Sequence, residues 1–146
     1  MFGRLLTALQ TLIRRRAVKL GDIVITHNDS GFLVCAPSSP TFGRLTVSWS
    51  DVKTVTAFKR DQYATDLMCL LFEMPGRGTL ELNEDMQGWQ HLIESLPNYL
   101  PDTPPWEKWW STVAFPAFKA NGTTLFDRNL PCSNSAQRAD GVSHAS

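Results

Sequence analysis

The sequence predicts an α+β fold: an antiparallel β-sandwich or partly open barrel closed by a C-terminal helix, with an amphipathic helix ahead of it. Three observations carry this. Residues 45–100 read in order as strands broken by turn chemistry and then one amphipathic helix. The run Leu67, Met68, Cys69, Leu70, Leu71 and Phe72 is apolar at every position, as a strand buried on both faces requires. Phe2, Leu5, Leu6, Leu9, Leu12 and Ile13 recur at the i, i+3, i+4, i+7 spacing of one helical face.

The opening segment, residues 1–20, carries Arg4, Arg14, Arg15, Arg16 and Lys19 before the first acid, Asp22. Its arginines gather near the C-terminal end, where the helix dipole favours positive charge, and Gly21 supplies a stop. One reading packs this helix on the sandwich or against a second copy of the chain, giving a homodimer. The other lays it on an anionic membrane, with Phe2, Leu5, Leu6 and Leu9 in the interface and Arg14, Arg15, Arg16 and Lys19 on lipid headgroups. The Arg-rich, acid-free start also shares features with an organelle transit segment.

After Gly21 the period shifts to that of strands. Residues 22–26 and 32–36 are short β-branched and apolar runs, separated by His27, Asn28, Asp29, Ser30 and Gly31, which is hairpin-turn chemistry. Pro37 to Pro40 form a loop. Leu45, Val47 and Trp49 alternate with Arg44, Thr46 and Ser48, a half-buried strand. Ser50 and Asp51 mark a turn before residues 52–58 continue the sheet, and residues 59–66 read as a polar loop. Pro75, Gly76 and Gly78 turn the chain into residues 79–82.

Asn83 or Asp85 is then expected to cap a helix near residues 85–96, whose inward face is Trp89, Leu92, Ile93 and Leu96. Pro97 should end it, since an interior proline lacks the N–H and clashes with the preceding turn. Trp106, Trp109, Trp110 and Val113 predict a second helix near 105–114, and residues 123–127 a last strand. Residues 129–146 are polar, small and aperiodic, a disordered tail by composition. The expected organisation is a helix over 1–20, one β-rich domain over 21–128, and the tail.

Composition bounds the function. A chain of 146 residues holds one domain with a real core. Its zero formal net charge is a cancellation between a basic start and a mildly acidic remainder. No basic face follows residue 20, so nucleic-acid binding is not expected. The three cysteines, Cys35, Cys69 and Cys132, lack metal-ligand spacing. Their odd number and the absence of a secretory pattern favour a reducing, cytoplasmic setting, with membrane association as the alternative. No run approaches the ~20 apolar residues that span a bilayer.

The strand carrying Leu45, Val47, Trp49 and Val52, the strands after it and the closing helix with inward Trp89 resemble the pleckstrin-homology-like superfold as small bacterial proteins use it. The resemblance covers roughly residues 21–100. It implies two near-orthogonal antiparallel sheets plugged by a helix, and non-catalytic binding of lipid headgroups or peptides. Headgroup-binding members carry several Lys and Arg around the first hairpin loop. This chain has His27, Asn28, Asp29, Ser30 and Gly31 there, which favours a protein ligand.

Candidate chemistry is thin. His27 reads as a solvated turn histidine, and His91, two residues from Trp89, points away from the apolar stripe. Glu81, Glu84 and Asp85 are explained as acids near a helix N-terminus. No glycine-rich phosphate loop or nucleophile elbow occurs, and no metal or cofactor is implied. Trp106, Trp109 and Trp110 are the candidate partner-binding residues, with burial against the sheet as the competing reading. The expected function is a non-catalytic binding module or adaptor for a protein partner, an immunity protein that neutralises a toxin being one version. A peripheral membrane protein anchored by residues 1–20 is the alternative, and a small hydrolase of unrecognised type the third.

Overall fold

The computed structural model describes residues 20–39, 42–62, 65–115 and 122–129. Two antiparallel sheets and two helices make an α+β fold. β1 (Val24–Asn28), β2 (Gly31–Cys35) and β3 (Arg44–Ser48) form one sheet in the order β1-β2-β3. The second sheet holds β4 (Thr54–Gln62), β5 (Thr65–Met74), β6 (Gly78–Asn83) and β7 (Thr123–Asp127) in the order β6-β5-β4-β7. Helices α1 (Trp89–Tyr99) and α2 (Trp106–Ala114) lie between β6 and β7 in the chain. Among the described residues, therefore, the helix with inward Trp89 is not the last element, and no helix is long and apolar enough to cross a membrane. The helix expected over 1–20, with its candidate membrane contacts, lies outside the described residues except for a 3-10 turn at Leu20–Asp22. The tail lies outside them from residue 130.

The first turn is tighter than expected. Asn28 Oδ1 accepts the backbone N–H groups of Ser30 (2.8 Å) and Gly31 (3.1 Å), so two residues, Asp29 and Ser30, suffice to reverse the chain. His27 consequently stays in β1, paired with Phe32, and is not a turn residue. The 3-10 turn at Trp49–Asp51 fits the expected break after β3.

Residues 59–62 and 65–66 are strand, not loop. β4 pairs with β5 from Thr54↔Glu73 out to Gln62↔Thr65, because the polar side chains at the hairpin's end find protein partners instead of water. The Lys59 ammonium, its side chain only 3% exposed, sits 3.2 Å from the Asp66 carboxylate and donates to the Ala114 carbonyl at 3.0 Å. On the other face Arg60 holds both carboxylate oxygens of Glu81. β5 is an interior strand, as its composition required: Met68, Leu70, Phe72 and Met74 enter the main core while Leu67 and Cys69 are buried on the opposite face.

Helix α1 begins later than the sequence suggests, at Trp89. Asn83 and Asp85 do not cap it. The Asn83 side chain instead accepts the Asp85 N–H and its carbonyl the Met86 N–H, which makes a turn. The chain then lies along the free edge of β1: Gln87 N–H donates to Ile23 O (2.9 Å) and Ile25 N–H to Gln87 O (2.8 Å). Gly88, at φ 89°, turns that short edge pairing into the helix. Pro97 does not end α1, which continues to Tyr99. In the last turn its missing N–H forfeits a single bond, and Leu100 N–H still closes on Leu96 O.

The core lies between the sheets and under both helices. Val47, Trp49, Leu70, Phe72, Leu82, Trp89, Leu92, Ile93 and Leu96 are all 5% exposed or less. Trp109 and Val113 of α2 join them.

Candidate functional site

Period-2 alternation puts His27 on the same face of β1 as buried Ile25, at the point where the strand reaches α1. His91, in the first turn of α1, and Tyr99, at its end, stand on either side of it. His27 Nδ1 lies 2.8 Å from Tyr99 Oη, and His27 Nε2 lies 3.1 Å from His91 Nδ1. Tyr99 is stacked on Trp49 with ring centroids 4.8 Å apart and planes at 15°, and the Trp49 indole N–H donates to the Asn28 carbonyl at 2.8 Å. Trp49 in turn meets Phe32, and Phe32 meets Phe72 in the core. A continuous run of rings therefore leads from the core between the two sheets to the imidazole pair at the surface.

This setting fixes the chemistry of the pair. Partial burial pushes the His27 pKa below the usual imidazole value, and the neighbouring charge of His91 adds to the effect. Both rings present a nitrogen to the same point, so the pair can share one proton there. Among the described residues no three histidine, cysteine or carboxylate side chains come together as a metal site.

A second feature adjoins it on the outer face of the three-stranded sheet. Register sets Asn28, Gly31 and Ser48 in one row and Thr26, Leu33 and Thr46 in the next. Together with Ser30 they line an open groove of about 300 Å³. Gly31 has a specific reason to be glycine: a Cβ there would stand 2.0 Å from the Val47 carbonyl oxygen. Hydroxyl and amide groups surround a half-buried Leu33, and among the described residues no lysine, arginine, aspartate or glutamate lines the groove.

The residues singled out from sequence are distributed elsewhere. Trp109 is buried in the core, and Trp106 and Trp110 are half-buried against it, meeting edge-to-face at 6.0 Å. The three indoles thus serve packing first, with part of two rings left at the surface. Phe2, Leu5, Leu6, Leu9, Arg14, Arg15, Arg16 and Lys19 lie outside the described residues. Glu81 belongs to β6 and pairs with Arg60, while Glu84 accepts the Met68 N–H at 2.8 Å. Neither is held at a helix N-terminus, because α1 starts at Trp89. Burial, with the Glu81 carboxylate adding to it, pushes the Cys69 thiol up to about 12, so it stays protonated and unreactive.

His91 is exposed, as its offset from Trp89 implies, but the histidine pair was hidden by its separation of 64 residues. Tyr99 carries no sequence signal of its own, and Asn28 reads only as a turn residue. The alternation of Ile25 with His27 was the available signal, since it turns His27 inward. No protein-family model matches the chain, and no curated protein and no solved structure is significantly similar to it.

Proposed function

We propose that this chain is a non-catalytic binding module, built on a pleckstrin-homology-like sandwich, that engages a protein partner through the groove above Gly31. The observation that supports this is the groove's lining: hydroxyl and amide side chains around Leu33, with no lysine or arginine among the described residues. An anionic headgroup needs cationic donors, whereas an extended polypeptide offers N–H and C=O groups that neutral hydroxyls and amides can pair with. Strand addition at the edges of the three-stranded sheet is a poorer route. The β1 edge already carries the segment around Gln87, and the Arg77 guanidinium occupies the Thr46 carbonyl on β3.

Charge inserted into the groove tests this directly. Proteins captured from native lysate by the wild-type chain should be lost with Ser48→Arg and Leu33→Glu. They should be retained with Glu94→Arg, on the exposed side of α1. Equal capture by all four chains would place the partner surface elsewhere. Binding of wild type to phosphatidylserine vesicles, undiminished by Leu33→Glu, would favour a membrane role instead.

A further inference from the structure

We propose that His27 and His91 form a two-imidazole chelate for a divalent transition-metal ion of the imidazole-preferring class, a site that clamps β1 to α1. The geometry is that of a bidentate ligand pair. His27 Nε2 and His91 Nδ1 are 3.1 Å apart. Two nitrogens each about 2.0–2.1 Å from one ion, at angles between square-planar and tetrahedral, would stand about 2.9–3.4 Å apart. Little movement of either ring is needed to admit the ion in place of the shared proton.

The surroundings supply what such a pair requires. A ligating imidazole ordinarily donates its other N–H to an oxygen that sets its tautomer and orientation. Tyr99 Oη, 2.8 Å from His27 Nδ1, can accept that N–H, and the tautomer in which it does so leaves the Nε2 lone pair facing His91. The Tyr99 ring is itself fixed by stacking on Trp49, whose indole N–H is anchored on the Asn28 carbonyl. His91 is exposed, so the ion has an open path, and its remaining positions face water. Neutral imidazoles select Zn²⁺, Ni²⁺ and Cu²⁺ over the oxygen-seeking Mg²⁺ and Ca²⁺.

The test uses the full chain, with cysteines reduced and the third histidine removed by His144→Ala. Titration with ZnCl₂ near neutral pH should show one equivalent bound and a raised melting temperature at saturation. His91→Ala in that background should keep the metal-free melting temperature, since the side chain is exposed, while Zn²⁺ affinity falls at least about 10-fold and the thermal gain disappears. Tyr99→Phe should weaken Zn²⁺ about 10-fold through loss of the orienting acceptor. MgCl₂ should give no shift. Zn²⁺ binding by His91→Ala as tight as that of its parent, or no stoichiometric binding by the parent, would leave the pair a hydrogen-bonded contact and overturn the proposal.

Discussion

His27 makes the fold sensitive to acid. Its folded pKa lies below the ordinary value of 6.5, first because the ring is partly buried and second because of His91. Between that ordinary value and the lowered folded one, the unfolded chain binds the proton more readily. Stability therefore falls as pH drops through about 6.5 and stops falling below the folded pKa. Urea midpoints at about pH 7.5 and 5.5 should differ less in His27→Gln than in wild type, and His91→Ala should remove the smaller part of the difference. A second residue-scale expectation concerns Trp89. Trp89→Ala should cost about 3–5 kcal/mol, as large cavities do. Trp89→Phe should cost much less, because the buried Trp89 indole N–H has no hydrogen-bond partner among the described residues. Denaturant midpoints of the two variants measure the gap. The burial of Trp89 was readable from its spacing with Leu92, Ile93 and Leu96; the unpaired N–H was not, since it depends on what the fold happens to place beside the ring.

At the scale of elements, Gly88 decides how α1 is joined to the first sheet. It combines φ 89° with a backbone so close to β1 that an added Cβ would lie 2.2 Å from the Ile25 carbonyl oxygen. The left-handed conformation alone costs a non-glycine residue about 1–3 kcal/mol. Because the close approach is to backbone, Gly88→Ala should lose more than that, or fail to fold. Gly76, at φ 82° in the β5–β6 turn, has open space around its Cβ position, so Gly76→Ala should cost only about 1–2 kcal/mol. Thermal melts of the pair separate strain from collision. The late start of α1 has the same origin. Local rules offered Asn83 and Asp85 as caps, and what overrode them was an edge of β1 with unpaired backbone groups that residues 86–88 could satisfy.

Across the whole molecule, Lys59 ties three elements together. It rises from β4, faces Asp66 on β5 and donates to the last carbonyl of α2. Lys59 is almost fully buried, so Lys59→Met removes both the ion pair with Asp66 and the bond to Ala114 and should cost about 2–4 kcal/mol despite the gain in apolar contact. Asp66→Asn in the same background should recover part of that loss, because it removes a carboxylate charge that has lost its ion-pair partner Lys59. A double-mutant cycle on urea unfolding reads the coupling, and additivity of the two changes would mean that the pair contributes nothing.

Local patterning was enough for the α+β class, the interior position of β5, the inward faces of both helices and the part of the core that Val47, Trp49, Leu70, Phe72 and the α1 stripe supply. Each is written in a local period: two residues for strands, 3.6 for helices, and continuous apolarity for a strand covered on both sides. It did not determine where polar segments pair or which distant side chains meet. Lys59 to Gln62 resemble solvent-facing loop until Asp66, Glu81 and Ala114 are placed around them. His27 resembles a turn residue until Asn28 shortens the turn and α1 brings up His91 and Tyr99. Those contacts join residues 64 and 72 positions apart. They are set by how α1 lies along the β1 edge, and that placement follows from Gly88 and the packing of two faces, which no local period encodes.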